Sequence, residues 1–216
     1  PSCAAQALLR GTMAEESVEP EGLEPVPTLA AASLTLERAI GSTGKVVNGL
    51  HALPNDRLLY VSGSQLIVET QGSQVGAQSF LRQHTANVER VDVSASGALC
   101  ASAQEGRQSD VLVWGVPECE LLFTLSEHDH GVAALGFSGD ERLLATVGCQ
   151  ADGKVFVWDM SNGAIVASAP GAVPDTRCVA WSPASDDLLV FATGGTDALV
   201  LWTLDPYAGQ MVCEKC

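Results

Sequence analysis

At 216 residues, 46% of them hydrophobic, and with a formal net charge of −15, the chain can bury a sizeable core but is badly matched to polyanions. Only 11 Lys and Arg are available to displace counterions from phosphates, which argues against nucleic acid and an anionic membrane surface as partners. No run of 18 or more uncharged apolar residues occurs to form a transmembrane helix. Pro1-Ser2-Cys3-Ala4-Ala5 lacks the basic region and apolar core of a signal peptide, so a soluble intracellular protein is expected. Seven scattered cysteines, an odd number, suit a reducing compartment with mostly buried thiols better than a disulfide framework.

In chain order, the first segment differs from the rest. Glu15, Glu16, Glu19, Glu21 and Glu24 are interrupted by Pro20, Pro25 and Pro27, a composition with little to bury. It predicts a disordered acidic tail over residues 1–39, followed by one β-rich domain over 40–216. Met13-Ala14-Glu15-Glu16 reads as a natural chain start, which makes residues 1–12 an extension.

The next stretch, 41–82, reads as a first strand and its turn over Gly49–Asp56, then a second strand at Leu58–Val61 and a third at Gln65–Val68. From residue 83 the chain repeats itself. Trp114, Trp158 and Trp202 are separated by 44 residues each. The same step links Ser94, Ser138 and Ser182, links Val111, Val155 and Leu199, links Val113, Val157 and Leu201, and separates His84 from His128. Glu69 stands 45 residues before Trp114, where a Trp would be expected. Short apolar runs precede each Trp (Val111–Trp114, Val155–Trp158, Leu199–Trp202), as for strands packed on both faces. Met211–Cys213 is a last, short strand candidate. Four repeats result, near 41–82, 83–126, 127–170 and 171–216. No convincing amphipathic helix occurs past residue 40.

A period in the low forties, with His near the start and Trp near the end, resembles the WD-repeat superfamily, whose repeat is one four-stranded blade of a β-propeller. The resemblance implies an all-β fold in which His, Ser or Thr, Asp and Trp hydrogen-bond in series and fix each blade. Repeat 127–170 carries the whole set, His128, Thr146, Asp152 and Trp158. Repeat 83–126 has His84, Ser102 and Trp114, with Gln108 in place of the Asp. Repeat 171–216 keeps Trp202, with Thr196 at the Asp position and no His. Four blades leave sheet edges uncovered, so a larger ring of about seven blades is expected.

Within the superfamily, the Trp-less opening blade and the stretches Ala101–Gln104, Ser109–Trp114, Leu121–His128 and Gly148–Trp158 look like the N-terminal propeller of the cilia- and flagella-associated protein 52 family. They are also similar to echinoderm-microtubule-associated-like and centriolar WD-repeat proteins. That resemblance implies a structural scaffold on the luminal wall of ciliary doublet microtubules, with tubulin and other axonemal proteins as partners. The charge of −15 disfavours the outer microtubule surface, where acidic tubulin tails lie. A soluble WD-repeat adaptor, such as a ubiquitin-ligase substrate receptor, is the alternative.

Catalysis and cofactors find little support. His128-Asp129-His130 lacks a third metal ligand at a known spacing, and Cys213-Glu214-Lys215-Cys216 lacks a second Cys pair. Asp186-Asp187 and Asp140-Glu141 sit in turns. Ala192–Thr196 lacks the Gly-Lys-Ser/Thr ending of a phosphate loop, and no Gly-x-Ser-x-Gly elbow appears. The expectation is a non-enzyme with no catalytic, cofactor or metal residues.

Overall fold

Strands of four to seven residues alternate with turns rich in Gly, Asp, Asn and Ser along the described chain. A computed structural model describes residues 36–72, 77–107, 109–171, 175–183 and 189–216. The acidic stretch through Glu24, Gln108 and Asp186-Asp187 lie outside the described residues.

Every regular element among the described residues is a strand. Blade 1 comprises β1 (Leu50–Leu53), β2 (Arg57–Ser62), β3 (Gln65–Thr70) and β4 (Gln78–Leu81). Blade 2 holds β5 (Val88–Val93), β6 (Leu99–Gln104), β7 (Val111–Gly115) and β8 (Glu120–Leu125). Blade 3 holds β9 (Val132–Phe137), β10 (Leu143–Gly148), β11 (Lys154–Asp159) and β12 (Ile165–Pro170). Blade 4 holds β13 (Cys178–Trp181), β14 (Leu189–Gly194), β15 (Leu199–Asp205) and β16 (Gln210–Lys215). Each blade is an antiparallel meander in sequence order. The last strand is longer than the Met211–Cys213 expected from sequence.

Tight turns join neighbouring strands because local side chains allow them. Asn55 and Asp56 both adopt positive φ (62° and 54°), which their short polar side chains tolerate, and so close the β1–β2 hairpin. Gly97 has a φ of 75° and lies against that hairpin: a Cβ there would stand 2.6 Å from Pro54 Cδ. The Ser column has a backbone role. Ser94 N donates to Leu99 O, Ser138 N to Leu143 O and Ser182 N to Val190 O, so each closes the first hairpin of its blade.

The blades stack face to face, and the core lies between them as three apolar layers. Leu59, Val61, Leu66 and Val68 of blade 1 meet Val91, Leu112 and Trp114 of blade 2. Ala101, Ala103, Val111 and Val113 of blade 2 meet Leu135, Phe156 and Trp158 of blade 3. Ala145, Val147, Val155 and Val157 of blade 3 meet Phe191, Trp202 and Leu204 of blade 4. Sandwiching between two neighbours explains why β7 is buried at all five positions, whereas β15 alternates exposed and buried along its whole length. Polar contacts cross the same boundaries: Phe137 N donates to Asp92 Oδ2 at 2.9 Å, and Trp181 Nε1 donates to Gly136 O at 2.9 Å.

One expectation fails. Among the described residues the thiols are not mostly buried: only Cys100 is, while Cys119 and Cys149 are half-buried and Cys178, Cys213 and Cys216 are exposed. The three exposed ones all lie in the blade 4 repeat: Cys178 is on its outer face, paired with Gly194, whereas Cys213 pairs with Trp202 at the outermost strand β16.

Candidate functional site

The polar chemistry of the interior is concentrated where the second and third strands of each blade pair. In blade 3, Leu144 pairs with Trp158 and Thr146 with Phe156. This register sets the Thr hydroxyl two residues along from the indole, on the same face of the sheet. Trp158 Nε1 donates to Thr146 Oγ1 at 2.9 Å, and His128 Nε2 lies 2.9 Å from the same oxygen. With its own proton the hydroxyl donates to His128 Nε2, so the imidazole is neutral and carries its proton on Nδ1. That nitrogen donates to Asp152 Oδ2 at 2.8 Å, and Asp152 Oδ1 accepts from His130 N. Every member is satisfied, which is the condition for a buried polar chain to stabilise rather than penalise. Burial lowers the pKa of His128, against the opposing pull of Asp152, so the contact is a hydrogen bond more than an ion pair.

Asp152 reaches the imidazole because residue 148 is glycine. A Cβ on Gly148 would stand 2.0 Å from Asp152 Oδ2. Blade 2 solves the same problem from the opposite side. Trp114 Nε1 donates to Ser102 Oγ at 2.9 Å, and Ser102 Oγ stands 2.7 Å from His84 Nε2. The acceptor for His84 Nδ1 is Gln104 Oε1, at 3.2 Å. Gln104 Oε1 also accepts from Ala86 N, as Asp152 accepts from His130 N. Gln104 stands 44 residues before Gly148, so the acceptor moves from the loop to the strand when the strand residue has a side chain. Sequence spacing set Gln108 in place of the Asp and so implied a partial loss of the network; Gln104 supplies the acceptor instead. Burial lowers the pKa of His84 as well.

In blade 4 the 44-residue step points to Val190 as the partner of Trp202, yet Trp202 Nε1 donates to Thr193 Oγ1 at 2.9 Å. Strand pairing explains the shift. Phe191 pairs with Trp202 and Thr193 with Val200, matching Leu144–Trp158 and Thr146–Phe156. Nine residues (182–190) separate the paired Trp181 and Phe191, against six (138–143) between Phe137 and Leu144. Four residues (195–198) separate Gly194 and Leu199, against seven (148–154) between Val147 and Val155. Three residues gained in one loop and three lost in the next leave the Trp spacing at 44 while the hydroxyl slides.

Blade 1 fills the same two positions with other residues. Leu58 pairs with Glu69, so Glu69 occupies the Trp position and Tyr60 that of the hydroxyl. The polarity is reversed: Tyr60 Oη donates to Glu69 Oε2 at 2.8 Å. Gln78 Nε2 donates to Glu69 Oε2, and the Gln78 amide is tied to the Ala39 backbone through both its oxygen and its nitrogen. Partial burial and the Glu69 carboxylate push the Tyr60 pKa up to about 12, while hydrogen bonds from Gln78 and Tyr60 lower that of Glu69. The missing Trp at Glu69 is legible in the sequence; its pairing with Tyr60 is not, because nothing in the 44-residue step links the two residues.

The remaining candidates are dispersed. Asp129 Oδ2 accepts from Lys154 Nζ at 2.7 Å on the surface, away from the His128 chain. Among the described residues no group of three or more His, Cys, Asp or Glu is placed to hold a metal ion. An open cleft of about 570 Å³ is lined by Glu89, Arg90, Cys149 and Asp175, where Arg90 Nε already donates to Ala133 O.

Stacked four-stranded meanders carrying an indole–hydroxyl–imidazole chain define a WD-repeat β-propeller chain. Residues 119–159 match the family described as "WD domain, G-beta repeat". The chain is 33% identical to cilia- and flagella-associated protein 52 of Chlamydomonas reinhardtii, over 81% of this chain and 29% of the relative. It is 31% identical to the Homo sapiens protein of that name, over 83% and 29%. The chain therefore spans less than a third of the length of these relatives. Among solved structures, the RRP9 WD40 repeats superpose with a TM-score of 0.61 at 18% identity, over 82% of this chain and 53% of that one, a likeness of fold alone.

Proposed function

We propose that the chain is a non-catalytic structural scaffold of the ciliary or flagellar axoneme, acting as a microtubule inner protein that binds tubulin in the lumen of doublet microtubules. The observation that carries this reading is the similarity to cilia- and flagella-associated protein 52, which covers 81–83% of the chain and so extends well beyond the single repeat matched at 119–159. Two properties support it. The polar groups that could do chemistry at the blade centres are consumed by one another, as in the Trp158–Thr146–His128–Asp152 chain. A charge of −15 disfavours the acidic outer surface of the microtubule and leaves the lumen as the compatible face. Axonemal proteins other than tubulin are further partners under this reading.

Salt extraction of demembranated axonemes from ciliated cells expressing the tagged protein tests it. A luminal protein stays in the doublet pellet through high salt and is released only when the doublet wall is opened. Quantitative release into the salt wash would overturn the luminal reading.

A further inference from the structure

The outer rim of blades 2 to 4 carries exposed apolar side chains at one end of the stack. Leu121 and Leu122 near the start of β8 are 37% and 38% exposed, Ile165 at the start of β12 is 42% exposed, and Tyr207 in the β15–β16 turn is 100% exposed. These four form a strip, because the outer turn of each blade leans on the outer strand of the blade before it. A Cβ on Gly163, between β11 and β12, would stand 2.7 Å from Phe123 Cδ1 of β8. A Cβ on Gly209, between β15 and β16, would stand 3.3 Å from Val166 O of β12. Carboxylates fix both turns. Asp159 Oδ1 accepts from Ser161 N at 2.7 Å, and Asp205 Oδ1 accepts from Tyr207 N and Ala208 N at 3.0 Å. Charge is divided unevenly between the two ends of these blades. Arg90, Arg107, Lys154, Arg177 and Lys215 lie toward the end that carries the β6–β7 and β10–β11 loops. Among the described residues of blades 2 to 4, Arg142 is the one cation at the opposite end, beside Glu118, Glu120, Asp140, Glu141, Asp159 and Asp205. The apolar strip lies at this acidic end.

We propose that the strip of Leu121, Leu122, Ile165 and Tyr207 is a docking surface for a basic amphipathic segment of a partner protein. The apolar side chains of that segment cover the strip, and its Lys or Arg side chains meet the surrounding carboxylates. Charge complementarity selects this occupant. A neutral or acidic segment would desolvate Glu118, Glu120, Asp159 and Asp205 without supplying a counter-charge. A second copy of the chain would bring the same acidic rim against itself, and the chain's own acidic stretch at residues 15–24 carries the same sign. The surface is defined by the blades alone and does not depend on the axonemal location.

The test is fluorescence anisotropy of the whole chain with a fluorescein-labelled amphipathic peptide built of Lys and Leu. Two control peptides accompany it, one with Glu in place of every Lys and one with Ser in place of every Leu. The Lys–Leu peptide is expected to bind roughly tenfold or more tightly than either control. Ile165→Ser with Tyr207→Ser should weaken that binding by roughly tenfold. Glu118→Gln with Glu120→Gln should weaken it less and make it less sensitive to salt. Leu199→Ser with Leu201→Ser replaces exposed side chains on the outer face of blade 4, away from the strip, and should leave binding unchanged. All the replaced side chains are exposed, and urea midpoints check that each variant stays folded; the Glu→Gln pair keeps the test alive if the Ser pair does not. Equal binding of the three peptides overturns the proposal. So does binding lost with Leu199 and Leu201 but kept without Ile165 and Tyr207, or no binding at all.

Discussion

Blades 1 and 3 place opposite chemistry at the same pair of positions. In blade 3 the indole of Trp158 and the hydroxyl of Thr146 are buried, and the polar chain runs inward to His128 and Asp152. In blade 1 Tyr60 and Glu69 hold those positions half-exposed, and the chain runs outward to Gln78 and the Ala39 backbone. The difference follows from what lies on that face. Blade 3 has blade 2 against its Trp face, so the network must be complete and dry; among the described residues blade 1 has a short stretch of its own chain at Ala39 there, and its pair is half-exposed, so water can share the work. One cross-strand indole–hydroxyl pair organises blades 2 to 4, and blade 1 carries its polar variant.

The largest expected effect separates the two directly. Trp158→Ala removes a buried indole from the layer between blades 2 and 3 and should cost about 3–5 kcal/mol in urea unfolding. Glu69→Ala in blade 1 should cost far less in the same assay, and equal losses would erase the distinction. Next comes the acceptor of each imidazole. Asp152→Ala leaves His128 Nδ1 and His130 N without their partner and should cost about 1–3 kcal/mol. Gln104→Ala should cost comparably in blade 2 because Gln104 Oε1 serves His84 and Ala86 in the same way. If Gln104→Ala is silent, the substitution of a strand Gln for a loop Asp is wrong.

The pH dependence comes third. Burial holds both imidazoles neutral, with folded pKa values below the ordinary 6.5. The unfolded chain therefore binds more protons as pH falls, and the stability these groups contribute is complete above about 6.5 and declines as pH drops toward their folded values. Denaturant midpoints should fall through that window, and His84→Gln with His128→Gln should flatten the profile. A profile unchanged by both replacements would contradict the neutral, Nδ1-protonated assignment. The smallest effect belongs to Tyr60→Phe, which removes the two half-exposed hydrogen bonds of that hydroxyl, donated to Glu69 and accepted from Gln78, and should cost under about 1 kcal/mol in urea unfolding. A loss as large as that of Asp152→Ala would show that blade 1 depends on its pair as heavily as blade 3 does.

Much of this was legible in the sequence because the period of 44 copies the strand register wherever loop lengths match. Trp114, Trp158 and Trp202, together with the apolar runs before them, therefore gave the third strands directly. The step misled where local lengths changed. Thr193 was hidden because two loops compensate each other, three residues gained and three lost, so the Trp column stayed in step while its partner did not. Gln104 was hidden because a glycine at 148 and a glutamine at 104 look unrelated until Asp152 is seen occupying the space that Gly148 leaves. Exposure of Cys178 was not legible either, since burial of the outer face of blade 4 depends on a neighbouring sheet and not on the residues themselves.

The most direct test of the central claim is the exchange of the indole Nε1 protons, followed by NMR. The account predicts that those of Trp114, Trp158 and Trp202 exchange slowly. It also predicts that Thr193→Val speeds exchange at Trp202 while Trp114 and Trp158 stay protected, and that Val190→Ala does not act on Trp202 in this way. Rapid exchange of the Trp202 proton in the parent chain, or a Trp202 proton indifferent to Thr193→Val, would contradict it.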